Sequence, residues 1–314
     1  MKKIGLIVPY FGKLPGNFQI WLNSCKCNPS IHWLLFTDDK SQYDYPENVR
    51  VTYMSFKELM ERFQKHFDFA ISLESSYKLT DYKVAYGEIF QDFITEYDFW
   101  GYCDIDLIFG NIRKFITDEI LNSYDKILSR GHLTLFRNTK AINALYRHIL
   151  GDILPYQEVF TQPQHFYFDE WGKNGINQIF KSLDLPMYDE VVFHDVFHRK
   201  YKFIPSQLMH KKEYQVPNIY YWDRGSLYRY YNSKSNGMER EEIMYVHFLR
   251  RKMDTIYQEE HADRVLMVPN KFMTISYEMN NEKASRLLGS GLLDRDFVRF
   301  YYQNIKRKLK LKKK

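Results

Sequence analysis

Trp100-Gly101-Tyr102-Cys103-Asp104-Ile105-Asp106-Leu107-Ile108 is the stretch on which the reading of this chain turns. An apolar, aromatic run stops at two carboxylates one residue apart, and apolar residues resume at once behind them. In extended backbone the side chains at i and i+2 point to one side, so Asp104 and Asp106 can address one hard cation. Two carboxylates set among apolar residues cost several kcal/mol without a counter-ion, and a Mg²⁺ or Mn²⁺ carrying a diphosphate offsets that cost. Two acids at this spacing also arise by chance as solvated side chains. Position separates the two readings: residues 97–103 read as a strand, and ligands collect at the carboxyl ends of strands in open α/β sheets.

Outward from that strand, the pattern alternates. Residues 3–9 read as a strand, 17–23 as the start of a helix with Phe18, Trp21 and Leu22 on one face, and 31–37 as a second strand ending in Asp38-Asp39. Residues 49–53 are a third strand. Residues 55–67 form an amphipathic helix with Ser55 as its N-cap, and 81–95 another helix leading into the strand that carries Asp104. Behind the acid pair, 126–130 and 133–137 read as strands, and 139–150 and 170–183 as helices. Residues 184–242, rich in Tyr and His, read as irregular. Such alternation predicts an α/β fold of Rossmann type, a mixed sheet with a parallel core flanked by helices. The expected organisation is one domain over residues 1–255, with a first half to about 110 and a second from 111. A helical extension over 256–305 and a tail over 306–314 follow.

With 314 residues, 45% of them hydrophobic, the chain can bury a sizeable core. Its 26 Tyr and 24 Phe suit stacking on sugar rings and bases as well as packing. Cys25, Cys27 and Cys103 are odd in number and lack metal-ligand spacing, which fits a reducing cytoplasm. The N-terminal apolar stretch is too short for a signal peptide or a membrane span. The formal charge of +6 is local: Lys306-Arg307-Lys308-Leu309-Lys310-Leu311-Lys312-Lys313-Lys314 holds seven basic residues, and without them 38 basic face 39 acidic residues. Such a tail can be solvated disorder or a membrane-surface anchor; a polybasic segment gains about 1 kcal/mol per Lys or Arg near an anionic leaflet, which ranks a contact to the inner face of the cell membrane first. The body carries no nucleic-acid-binding module, and nucleic acid is not an expected partner.

Four spaced motifs, in order, carry a family resemblance: Pro9-Tyr10-Phe11-Gly12, Phe36-Thr37-Asp38-Asp39, Asp81-Tyr82-Lys83-Val84-Ala85-Tyr86-Gly87, and Trp100 through Asp106. Together they resemble GT-A glycosyltransferases of the bacterial capsule and O-antigen type, over roughly residues 3–255. The resemblance implies a metal-dependent enzyme that moves a hexose from a nucleotide diphosphate sugar to a lipid-linked surface polysaccharide. The donor would be UDP-galactose, UDP-galactofuranose or another UDP-hexose. It places Pro9, Tyr10, Phe11, Thr37, Asp38 and Asp39 around the nucleoside, and Asp81, Lys83 and Tyr86 near the diphosphate or donor sugar. Mn²⁺ or Mg²⁺ would sit on Asp104, Asp106 and a late histidine, His247, with Arg250, Arg251 or Lys252 on the diphosphate. The family's usual Lys-Pro-Trp after that histidine is Arg-Lys-Met here. Plain roles stand beside these: Asp81 as a cap, Lys83 as a solvated residue, His247 as a structural one.

An inverting transferase needs a carboxylate base for the acceptor hydroxyl. His165-Phe166-Tyr167-Phe168-Asp169-Glu170 offers Glu170 or Asp169, at an expected helix start where the dipole favours anions. The plain reading of Asp169 is that it caps that helix. Gly131-His132 and Arg137-Asn138 are further candidates for lining the pocket. Two other classes compete: a metal-dependent phosphoester or pyrophosphate hydrolase, which usually has more clustered acidic and His ligands, and a non-catalytic glycan-binding scaffold, which would have lost the acid pair.

Overall fold

Short strands, the central ones apolar, build a seven-stranded sheet. The structure, a computed structural model, describes residues 1–149, 151, 155–170, 175–206, 215–249, 251–289, 297–298, 300–302 and 305–306. Strands β1 (Ile4–Pro9), β2 (Ile31–Thr37) and β3 (Val49–Tyr53) are parallel, and β4 (Phe99–Cys103) lies parallel on the other side of β1. β1, β2 and β4 are buried almost throughout, as expected of strands covered on both faces. Strand β7 (Leu133–Arg137) pairs antiparallel with β4, β6 (Lys126–Arg130) antiparallel with β7, and β8 (Met187–Tyr188) parallel with β6. The mixed α/β class and the parallel core read from the sequence are therefore present.

The chain divides into two compact units that interleave along the sequence, where the expected divisions lay near residues 110 and 255. One comprises Met1–Pro15, Asn28–Ile105 and Ile116–Glu190; the other comprises Gly16–Cys27, Asp106–Phe115 and the described residues from Val191 onward. The first holds the seven-stranded sheet and an aromatic core in which Tyr82 stacks on Phe160 and Trp100 on Phe136, at centroid distances of 4.2 and 4.8 Å. Gly87 is fixed by this packing, because a Cβ there would lie 2.5 Å from the Trp100 ring.

The second unit holds two sheets. The smaller joins β5 (Leu107–Phe109), β13 (Tyr245–His247) and β9 (His194–Asp195). The larger has the order β12-β11-β10-β15-β16-β14, from β10 (Asn218–Asp223), β11 (Ser226–Ser233), β12 (Gly237–Glu242), β14 (Asp254–Ile256), β15 (Arg264–Val268) and β16 (Lys271–Thr274). Apolar clusters form around Tyr220, Trp222 and Phe272 and around Ile219, Tyr221 and Leu266; helix Asn281–Gly289 adds Ala284 to the latter.

Several expectations need correction. Among the described residues, the stretch 184–242, expected to be irregular, supplies five strands. Arg224 and Gly225, with φ of 47° and 92°, make the two-residue turn that joins β10 to β11, a turn requiring positive φ at both positions. Residues 256–305 are not simply helical, since they include β15 and β16. The helix expected over 170–183 is Ile176–Ser182, with Gly175 in front of it, so neither Asp169 nor Glu170 starts it. The helix expected over 81–95 is a string of short turns, and the tight one over Lys83–Ala85 carries Lys83. Ser55 does cap its helix, Phe56–Gln64, through a reciprocal pair with Glu58, although that helix stops short of Phe67. The helix expected over 139–150 is Lys140–Asn143 followed by a 3-10 turn, and Leu150 lies outside the described residues. Among the described residues no helix is long and apolar enough to cross a membrane.

Candidate active site

Asp104 leaves the carboxyl end of β4, whose neighbour β1 is parallel, and its N–H donates to the His132 carbonyl at 3.0 Å. Lys83 Nζ donates to Asp104 Oδ1 at 2.7 Å and to the Gly131 carbonyl at 2.8 Å, and lies 4.0 Å from Asp169 Oδ2. Burial works against the Lys83 ammonium, but the Asp104 carboxylate and, once ionised, that of Asp169 outweigh it and raise its pKa. Lys83 is therefore a fixed cation at the end of the strand that carries the first acid.

Asp169 is 3% exposed, and burial pushes its carboxyl up to about 8, with Lys83 opposing and Glu170 and Asp104 adding. At neutral pH it is therefore mainly a neutral acid. Glu170 is half-buried and accepts from the Gly131 N–H at 2.7 Å. A Cβ at residue 131 would lie 2.5 Å from Asp169 Oδ2 and 2.9 Å from Glu170 Oε1, so glycine is what admits both side chains. The two neighbouring carboxyls thus stand in unlike surroundings, Asp169 buried and Glu170 half-buried on the Gly131 N–H.

The turn bearing these acids is held by Asp81, fully buried. Its Oδ1 accepts from the N–H groups of Phe166 and Phe168, both at 3.1 Å, and Lys78 Nζ donates to its Oδ2 at 2.8 Å. Tyr167, between those amides, has φ of 57°, a backbone state uncommon for non-glycine residues. Asp81 and Tyr86, read from the sequence as donor contacts, thus lie inside the fold; the Tyr86 ring packs with Phe63, Phe90 and Tyr102. Arg137 and Asn138 are also engaged internally. Arg137 donates to Asp125 and to the carbonyls of Leu121, Asn122 and Tyr124, and Asn138 to those of Ile94 and Tyr97.

The other motif residues of this unit do come together, at the ends of β1 and β2. Gly12 N–H donates to Asp38 Oδ1 at 2.7 Å and Leu14 N–H to Asp39 Oδ2 at 2.8 Å, tying the loop after Pro9 and Tyr10 to the acid pair. Hydrogen bonds from Ser41 and Leu14 hold the Asp39 carboxyl below the usual range. Thr37 Oγ1 accepts from the Asp39 N–H, and Phe11 sets its ring edge-on to Phe56 at 5.3 Å.

In the second unit the three-stranded sheet collects side chains from distant segments. β13 runs antiparallel to β5, with His247 opposite Leu107, and parallel to β9, with His247 opposite Asp195. His247 Nε2 lies 3.2 Å from Asp106 Oδ1, and Nδ1 lies 2.9 Å from Asp195 Oδ1. Asp195 Oδ2 accepts from Ser206 Oγ at 2.6 Å. Burial opposes the imidazolium, but Asp106 and Asp195 outweigh it and push its pKa up to about 10. Sequence reasoning missed Asp195 and Ser206; the only sign was a His-Asp pair bracketed by Val191-Val192-Phe193 and Val196-Phe197. Of the three cations named after His247, Arg251 is buried, donating to the Lys200 and Tyr201 carbonyls and packed on Phe203 and Phe300. Lys252 is exposed, and Arg250 lies outside the described residues.

A sheet with a parallel core, with acids at its strand ends, is a frame that serves many enzymes. The chain belongs to the family described as a family of unknown function, DUF6625, which it matches over residues 6–276. No curated protein matches it. Similar solved structures include galactosyltransferase LgtC in complex with donor and acceptor sugar analogs, at 10% identity over 94% of this chain and 99% of that one, with a TM-score of 0.40. Another is mouse xyloside xylosyltransferase 1 in its apo form, at 11% identity over 62% of this chain and 88% of that one, with a TM-score of 0.36. A third is the apo form of glycosyltransferase GlyE from Streptococcus pneumoniae TIGR4, at 14% identity over 60% of this chain and 45% of that one, with a TM-score of 0.33.

Proposed function

We propose that this chain is a metal-dependent, GT-A-like glycosyltransferase that moves a hexosyl group, with inversion, from a UDP-hexose to a lipid-linked surface polysaccharide at the inner face of the cell membrane. The observation that carries the reading is Asp104 at the carboxyl end of β4 with Lys83 bound to it, beside the unlike pair Asp169 and Glu170. The cation's ligands would be Asp104, Asp106 and His247. The donor chemistry fits: two carboxylates suit a hard divalent ion, and an imidazole whose far nitrogen bonds a carboxylate is the usual form of a histidine ligand. When bound, Mn²⁺ or Mg²⁺ would neutralise charge on the departing diphosphate.

The chain's own groups do the rest in this reading. The loop around Tyr10 and Phe11, tied to Asp38 and Asp39, flanks the nucleoside. Lys83 sets a buried positive charge toward the leaving group, and Arg250 or Lys252 supplies a further one. Glu170 takes the proton of the acceptor hydroxyl as that oxygen bonds the anomeric carbon and the carbon's bond to the diphosphate oxygen breaks. The test is thermal unfolding with nucleotides and nucleotide sugars, with and without Mn²⁺. A ligand at about 100 times its Kd stabilises by about 2.7 kcal/mol. UDP should raise the melting temperature only when Mn²⁺ is present; no response to any nucleotide would sink the reading.

The membrane contact has its own test. Residues 307–314 lie outside the described residues, but just before them Val298, Tyr302 and Ile305 are exposed, and Lys306 Nζ sits 4.8 Å from the Tyr302 ring. Deleting residues 306–314 should abolish binding to anionic vesicles and spare turnover of a short soluble acceptor. Wild-type binding should weaken steeply with salt, since screening acts over about 8 Å at physiological ionic strength. Vesicle binding indifferent to the deletion would refute the contact.

A further inference from the structure

We propose that Asp195, itself held by Ser206, is the positioning residue that sets His247 to bind the divalent cation; the proposal rests on the metal-dependent reading above. The backbone alone brings the two together, because β9 and β13 pair in parallel with Asp195 directly opposite His247. The Val196 N–H donates to the His247 carbonyl at 2.8 Å, which locks that register. Paired residues of adjacent strands point to one face of the sheet, so carboxylate and imidazole must meet. They meet at Nδ1, leaving Nε2 on the Asp106 side.

Ser206 fixes the carboxylate in turn. Its Oγ donates to Asp195 Oδ2 at 2.6 Å and its N–H to the Asp195 carbonyl at 2.7 Å. Both Asp195 oxygens thus have partners, one on the imidazole and one on the hydroxyl, which suits a residue acting through the histidine. A carboxylate on Nδ1 keeps the proton on that nitrogen, so that the cation displaces the Nε2 proton and binds there, and it raises the basicity of the ligand. The chain Ser206–Asp195–His247–Asp106 lies wholly within one compact unit. Removing such an outer partner typically weakens metal affinity 10- to 100-fold.

The test is calorimetric titration of Mn²⁺ into the full chain, without nucleotide, for the wild type, Asp195→Ala, Asp195→Asn, Ser206→Ala, His247→Ala and the Asp195→Ala/His247→Ala double variant. Asp195→Ala should weaken Mn²⁺ binding 10- to 100-fold. Asp195→Asn, which keeps the shape, should sit at the lower end of that range and carries the test if the alanine variant does not fold. In the His247→Ala background Asp195→Ala should add nothing, because its effect passes through the imidazole. A loss there equal to that in the wild-type background would make Asp195 an independent ligand and overturn the proposal. Where His247→Ala binds too weakly to measure, pulsed electron resonance of bound Mn²⁺ decides: the imidazole nitrogen coupling should change in Asp195→Ala, and an unchanged coupling overturns the proposal. Wild-type protein that binds no Mn²⁺ would sink the metal reading itself. Wild-type binding that is lost in His247→Ala but intact in both Asp195 variants would sink only the positioning role.

Discussion

Asp104→Asn and Asp106→Asn are each expected to reduce sugar transfer to less than about 10⁻³ of wild type, and to remove the Mn²⁺ requirement from nucleotide binding by removing that binding. The estimate follows from losing preorganised charge stabilisation of a leaving group, which costs about 10²–10³ even for one neutral donor. Asparagine is the better probe at residue 104. Lys83 is buried, and truncation to alanine would strip its nearest counter-ion; breaking a buried pair costs about 3–5 kcal/mol, less here because Asp104 is itself 38% exposed. Asparagine keeps an oxygen for Lys83 and deletes the charge. Melting curves of both variants should therefore stay close to wild type without ligand, while the UDP–Mn²⁺ shift disappears. Normal transfer by either variant, or by the wild type in EDTA, would end the metal reading.

The elements legible in the sequence were short strands marked by β-branched, leucine or aromatic residues. Residues 31–37, 49–53, 126–130 and 133–137 are such strands, with the expected bounds. Strand β12 has no buried position to mark it, and β10 and β11 escaped detection because they bury polar side chains, Asn218 and Arg229, among their tyrosines; Arg229 is 0% exposed and held by Asn218 and Glu241. A strand that buries an arginine does not alternate in hydropathy. The candidate site divided in the same way. Asp104, Asp106 and the acids after β2 stand at strand ends, where local pattern is informative. Asp81 binds amides 85 and 87 residues away, and Asp195 is 52 residues from His247. Nothing local distinguishes a clamp or an orienting acid from a cap when its partner is that distant. For Asp169 and Glu170, the helix dipole expected to favour their charge is not at hand, since that helix begins only at Ile176. Their environments are set by burial, Lys83 and Gly131.

Those environments make the second large effect a discriminating one. Glu170→Gln retains an oxygen for the Gly131 N–H and loses only the capacity to take a proton, so turnover should fall by about 10²–10⁴ with nucleotide binding unchanged. Asp169→Asn imitates the neutral form that burial already favours and should cost less than about tenfold at pH 7. The same substitution has a signature in stability. A carboxyl whose pKa rises from 3.8 unfolded to about 8 folded binds its proton more tightly in the native state. Its contribution is full below pH 4 and is lost as pH rises through 8. Wild-type stability should therefore fall relative to that of Asp169→Asn between about pH 4 and pH 8, measurable by denaturant titration of both proteins at a series of pH values. A turnover loss in Asp169→Asn that matches or exceeds the loss in Glu170→Gln would reverse the assignment, making Asp169 the base and Glu170 the residue that holds Gly131. Wild-type turnover in both would leave the pair with a purely structural task and remove the base from the mechanism.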